Sequence, residues 1–264
     1  MLSFVKAHAY GNDFLYVEDA AAAGRDPAGL ARALCERHTG VGADGLILFT
    51  PTPGGAVMRL FNADGSYSEV SGNGVRALGA VLLAEGGGAA DRASLVIRTD
   101  AGEKRLDLLG REGTRLAFRA AMGHPEAIAE RTLDVGGEPL RVVTLRVGNP
   151  QCVALEPLLS DERMRRLGAL LEHHQAFPEG TNVEFATVES PSRVRILIWE
   201  RGVGPTLASG TGACASAVAA AAYGGASRDV EVASPGGTQR VEWTDEGIFL
   251  TGWAEVLCRG TWLA

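Results

Sequence analysis

Short segments in which apolar and polar residues alternate, or run apolar between Gly, Asp and Asn turns, recur along the whole chain. They are LSFVKA, FLYVE, GLILF, VMRLFN, SLVIRT, RLDLL and RLAFRA in the first part, then LRVVTLRV, CVALEP, NVEFATV, RVRILIWE, DVEVA, TQRVEW, GIFLTG and AEVLCRG in the second. A period of two over four to eight residues predicts β-strands. Helical spacing predicts four helices, at roughly 27 to 37, 73 to 85, 160 to 173 and 212 to 223. Each strand group carries two helices. This order predicts an α+β fold in two similar halves, residues 1–118 and 119–264, rather than a regularly alternating parallel sheet. The last strand, about 253–264, is expected on the N-terminal half.

An internal repeat supports two halves. EVSGNGVRALGAVLLAEGGG from Glu69 and LASGTGACASAVAAAAYGG from Leu207 share Ser-Gly-X-Gly, a small-residue apolar helix and a glycine-rich exit. One reading of each copy is a helix N-cap with glycines for a tight entry turn. The other uses both copies: two helix starts, with their N–H groups and dipoles, jointly hold a carboxylate at a site between the halves.

Composition narrows the partners. A net charge of −7 gives no electrostatic footprint for nucleic acid, whereas a small anionic substrate remains compatible with a few arginines and helix N-termini. No apolar run reaches the roughly 18 residues of a membrane span, and the N-terminus lacks the order of a secretory signal, so the expected location is cytoplasmic, with no membrane partner. Cys35, Cys152, Cys214 and Cys258 lack metal or redox spacing, so no metal is expected and the thiols read as packing residues. Only Lys6, in the first strand, and Lys104, in an expected turn DAGEKR, could form a Schiff base. Neither adjoins a phosphate-binding glycine loop, and no cofactor is expected.

Inverting a carbon acid without a cofactor needs a base on one face of the stereocentre, an acid on the other, and donors for the charge developing on the carboxylate. Ser71 and Ser209, each opening a helix, have the placement for two opposed groups. A thiol is readily ionised at a helix start; a hydroxyl is not and needs its own base.

GNDF (11–14), GADG (42–45), FNADGS (61–66), SGNG (71–74), GNP (148–150), GTNVEF (180–185), and ERGVG followed by SGTGA from Glu200 occur in an order and spacing that resembles diaminopimelate epimerases, over nearly the whole chain. The resemblance implies two pseudo-symmetric halves, each a mixed sheet wrapped around a central helix, with the substrate between them. It implies that amides around Gly72, Asn73, Gly210 and Thr211 hold the carboxylate at the reacting carbon. Asn62, Asn149, Asn182, Glu200 and Arg201 match positions that recognise the distal end of the zwitterionic substrate, and Asn12 matches a residue lining the cleft. Taken singly, the asparagines also fit turn formers, and Glu200 with Arg201 fits an exposed ion pair.

The chain departs from the family pattern at five positions. Ser71 and Ser209 stand in for the two catalytic cysteines, Gln151 for a histidine, Pro205 for a glutamate and Trp253 for a proline. The expected function is epimerisation of LL-diaminopimelate to the meso form, weak or absent through loss of the thiols, by a protein that is possible as a homodimer. The alternatives are another cofactor-free racemase or isomerase of the superfamily, with Glu69 or His8 as replacement bases, and a non-catalytic amino-acid binder. The serine pair is compatible with a natural branch or with introduced substitutions.

Overall fold

The computed structural model describes residues 1–85 and 94–263. They form two compact units, Met1–Ala120 with the residues from Gly252 onward, and Ala121–Thr251. The glycine-rich exit of the first repeat, Gly86 to Gly88, lies outside the described residues.

The first unit runs β1 (Leu2–Ala9), β2 (Asn12–Glu18), α1 (Pro27–Cys35), β3 (Gly45–Thr52), β4 (Gly55–Asn62), β5 (Tyr67–Ser68), α2 (Gly72–Glu85), β6 (Ser94–Thr99), β7 (Gly102–Glu112) and β8 (Arg115–Gly123). Two strand pairs are parallel, β2 with β3 and β4 with β6. A parallel pair needs a crossover, which α1 and α2 supply. Asp26 caps α1 through the Ala28 and Gly29 N–H groups, and Pro27 sits at the first helical position, where its missing N–H costs nothing. Leu30, Leu34 and Cys35 of α1 then pack on Leu15, Val17, Leu46 and Leu48 of the sheet.

The second unit runs β9 (Glu126–Val135), β10 (Glu138–Arg146), β11 (Pro150–Leu155), α3 (Asp161–Glu172), β12 (Asn182–Ser190), β13 (Arg193–Glu200), β14 (Gly204–Thr206), α4 (Gly210–Tyr223), β15 (Asp229–Ser234), β16 (Gly237–Thr244) and the start of β17 (Gly247–Trp262), whose residues from Gly252 onward belong to the first unit. Here β11 with β12 and β13 with β15 are parallel, and α3 and α4 are the crossovers. The last part of β17 pairs with β1, and β17 also pairs with β8, so the strands of the first unit close into a mixed barrel. Residues Gly210 to Ala220 of α4 are buried on every side, which is the behaviour of a helix apolar all round. Its Gly, Ala and Ser side chains let β10, β11, β12, β13, β15 and β16 all reach it.

Four local expectations need correction. GIFLTG and AEVLCRG are one strand, β17, because Gly252 is a close-approach residue and not a turn: a methyl group there would stand 3.0 Å from the Tyr10 ring. Strand β9 has no clean alternation and mostly exposed side chains, so periodicity could not find it; the ladder to β10 makes it a strand. Lys104 is not in a turn. The turn closes at Gly102 (φ 86°), and Lys104 is a buried residue of β7 facing Ile97 across the ladder. Helix α1 ends at Cys35, two residues before the expected stop, because Glu36 is already extended (φ −60°, ψ 126°).

Candidate active site

Both Ser-Gly-X-Gly segments are N-caps. Ser71 Oγ accepts from Gly74 N at 3.0 Å, and its carbonyl accepts from Val75 N at 2.9 Å. Ser209 Oγ accepts from Gly212 N at 3.1 Å, and its carbonyl from Ala213 N at 3.1 Å. Helix geometry therefore aims the Gly72 and Asn73 N–H groups out of the start of α2, and those of Gly210 and Thr211 out of the start of α4. With the positive end of the dipole, each start is suited to a carboxylate. Ser209 is 2% exposed and Ser71 is half-buried.

In the first unit the polar side chains form a chain. Asn73 Nδ2 donates to Asn12 Oδ1 at 3.2 Å, and Asn12 Nδ2 donates to Asp44 Oδ2 at 2.9 Å. Arg76, fully buried one turn along α2, donates to Asn73 Oδ1. Asp44 also accepts the Asp13 N–H, and Arg37 bridges Asp13 and Asp44 at 2.9 and 2.8 Å. Burial opposes ionisation of Asp13, but hydrogen bonds from Arg37 and Lys6 outweigh it and hold the carboxyl below its usual range. Burial, then the charge of Asp13, pushes the Asp44 carboxyl up. The pair thus behaves as one ionised and one reluctant carboxyl, with Asn12 held by the reluctant one.

In the second unit Asn149, Gln151, Asn182, Glu184 and Thr211 are all buried, Glu184 completely. Asn182 Oδ1 accepts from Arg201 N at 2.9 Å, which turns Asn182 Nδ2 toward Gln151. With the Gln151 amide turned to suit these neighbours, its oxygen accepts from Asn182 Nδ2 and Thr211 Oγ1, each at 3.2 Å, and stands 2.5 Å from the Asn149 side-chain amide, while its nitrogen donates to Glu184 Oε1 and Oε2 at 3.1 and 3.2 Å. Burial, then the charge of Glu200, pushes the Glu184 carboxyl well above the usual carboxylate range.

The backbone frames of the two sites follow the same register. Phe14 pairs with Gly45 where β2 meets β3, and Gln151 pairs with Asn182 where β11 meets β12. Two residues upstream of each lie Asn12 and Asn149, each after a glycine in the left-handed region, Gly11 (φ 87°) and Gly148 (φ 77°). Two residues past Gly45, Ile47 lies against α2: a methyl group at Gly74 would stand 2.8 Å from its Cδ1. Two residues past Asn182, Glu184 lies against α4: a methyl group at Gly212 would stand 2.3 Å from its Oε1.

Other expected site residues also carry local structure. Asn62 closes the FNADGS turn, with Nδ2 donating to Ser66 Oγ at 2.9 Å and its N–H to Ser66 O at 2.8 Å. The Glu200 carbonyl accepts from Val203 N at 3.1 Å, and Arg201 Nη1 donates to Glu179 O at 3.1 Å. His8 Nδ1 accepts from Gly11 N at 3.0 Å, while Nε2 faces Glu255 at 3.6 Å, so this imidazole is tied into the β1–β2 turn. Trp253 sits among Tyr10, His8 and the Arg115 guanidinium, and its backbone N–H donates to Tyr10 Oη at 3.2 Å. Buried Cys35 is pushed up to about 12 and Cys152 is also raised, so neither is a ready thiolate.

Sequence reasoning passed over Asp44 and Glu184. The available signal was a lone acid inside a buried apolar run, NVEFATV, since Glu is almost never fully buried without partners.

A family model described as diaminopimelate epimerase matches residues 4–128 and 143–257. The chain belongs to the diaminopimelate epimerase family. A diaminopimelate epimerase of Desulforudis audaxviator is 40% identical, the match covering 99% of each chain. That of Synechococcus elongatus is 38% identical, covering 95% of this chain and 94% of the relative. Among solved structures, a hydroxyproline epimerase from Agrobacterium vitis matches with a TM-score of 0.76 at 16% identity, covering 98% of this chain and 90% of that one. A phenazine biosynthesis protein from Bacillus anthracis matches at 0.70 and 16% identity, covering 100% and 99%. These two show the fold shared with the family. No helix among the described residues is long and apolar enough to cross a membrane.

Proposed function

We propose that the chain interconverts LL- and meso-diaminopimelate by direct proton transfer at the α-carbon, without a cofactor, as a cytoplasmic step in lysine and peptidoglycan precursor biosynthesis. Family membership supports the reaction. The observation that carries the site is the matched pair of serine-capped helix starts. Ser71 and Ser209 occupy the family's cysteine positions and work on opposite faces of the reacting carbon: one side removes the α-proton while the other delivers one. The amides of Gly72, Asn73, Gly210 and Thr211 take up the charge that develops on the adjoining carboxylate. Asn12, Asn62, Asn149, Asn182, Glu200 and Arg201 recognise the rest of the zwitterion. Arg201 and the amides suit its carboxylate and Glu200 its ammonium.

We read the two units as pseudo-symmetric halves, residues 1–118 and 119–264, with the last strand on the N-terminal half. The repeated order of parallel pairs and crossover helices supports this. A homodimer is the assembly expected of it.

Serine limits the rate, because each Oγ already accepts a helix N–H and its proton leaves far less readily than that of a thiol. The test is incubation with LL-diaminopimelate in deuterated water, following loss of the α-proton signal and appearance of meso product. Slow exchange with inversion, accelerated in a Ser71→Cys, Ser209→Cys double variant, is the expected result. If the double variant turns over and the serine form does not, the protein is a binder built on an epimerase scaffold. An inert double variant that fails to bind the substrate would overturn the assignment.

A further inference from the structure

We propose that Glu184 is a positioning residue of the second helix start: it anchors the Gln151 amide and, through it, holds Thr211 and Asn182 in place for substrate. The inference rests on the reading of Thr211 and Asn182 as substrate-binding residues. A primary amide has a donor end and an acceptor end, and its orientation is set by its neighbours. The Arg201 N–H fixes Asn182, Asn182 Nδ2 fixes the Gln151 oxygen, and the Gln151 nitrogen is left facing Glu184, whose two oxygens lie within hydrogen-bond distance. The side chains of Asn182, Gln151, Glu184 and Thr211 are all buried, so no solvent competes for these bonds, and loss of the acid removes both acceptors that face the Gln151 nitrogen.

The first unit is an internal control. At the matching register it has Phe14, Gly45 and Ile47, an apolar layer under the same kind of capped helix start. An aliphatic side chain under the third helical residue is thus compatible with the backbone frame. The carboxyl in the second unit is not required by the cap itself, since Ser71 caps α2 without one. What it serves is the amide cluster between β11, β12 and α4.

The decisive variant is Glu184→Ile, which writes the residue of the first unit into the second. The protein is expected to fold, with the side-chain amide NMR signals of Gln151 and Asn182 shifted and broadened. KM for LL-diaminopimelate should rise on the order of tenfold, with a smaller change in kcat. Glu184→Gln, which keeps one acceptor oxygen, should fall between. In a Gln151→Glu, Glu184→Gln exchange, position 151 still accepts from Thr211 and Asn182 and is still bonded to position 184, so KM should recover. Unchanged amide signals in folded Glu184→Ile, or an unchanged KM, would overturn the proposal. If Glu184→Ile does not fold, failure of the exchange variant to outperform Glu184→Gln overturns it. Should the unsubstituted chain neither bind nor turn over diaminopimelate, the functional reading fails, and the amide spectra of the unsubstituted chain and Glu184→Ile still decide whether Glu184 orders the cluster.

Discussion

Beneath the third residue of α2 lies Ile47, and beneath the third residue of α4 lies Glu184, both completely buried. The caps above them match to within 0.1 Å, 3.0 against 3.1 Å. One backbone frame therefore carries an apolar layer in one unit and an acid with two amides in the other. The helix start, with its cap and aimed N–H groups, is therefore the reusable part. The layer behind it is free to be specialised. In the first unit, polar contacts come instead from the side, through Asn12 and the Asp13–Asp44 pair.

The largest effect expected from breaking this comparison is that of Gly212→Ala. The new methyl group would stand 2.3 Å from Glu184 Oε1, 2.9 Å from Cδ and 3.1 Å from Cγ, on a side chain held by Gln151. A cost of about 3 kcal/mol is expected in urea unfolding, in the range for overpacking a tight core. At the matching position Gly74→Ala meets the end of the flexible Ile47 chain, at 2.8 Å, and should cost roughly 1 kcal/mol. Equal costs would show that the two layers are mechanically alike.

The next effect is on pH dependence. Glu184 is raised by burial and by Glu200, so the folded state holds its proton more tightly than the unfolded state. The stability this contributes is fully present below the unfolded value of about 4.3 and is lost as pH rises through the folded value. Unfolding free energy should therefore decline over that window in the unsubstituted chain and decline less in Glu184→Gln. The first unit, with Ile47, contributes no such slope from this position. Identical pH profiles would remove Glu184 as the source.

The smallest effect concerns a contact present only in the first unit. Tyr16 donates to the Gly74 carbonyl at 2.9 Å inside the barrel, whereas the matching residue of β11, Val153, has no hydroxyl. Tyr16→Phe should cost about 1 kcal/mol in thermal or denaturant unfolding. A neutral result would mean that the helix start holds without it.

Much of this was legible in the sequence for a physical reason. Strands advertise themselves by alternation, helix starts by Ser-Gly-X-Gly, and close approaches by glycine, all of which are local. Strand β9 was not legible, because its side chains are mostly exposed and only its ladder to β10 makes it a strand. Lys104 resembles a turn residue in the sequence because a turn two residues long looks like a longer one until the register is known.

The repeat and the family resemblance depend on residue types at fixed spacing along the chain, and the sequence specifies both without reference to the fold. Only the tertiary structure decided that Asn12 leans on Asp44, that Gln151 faces Glu184, and that Gly74 and Gly212 rest on an aliphatic chain and an acid respectively. Those partners are brought together by parallel strand register and by a helix packed inside a sheet. Such contacts join residues dozens of positions apart, and no local pattern encodes them.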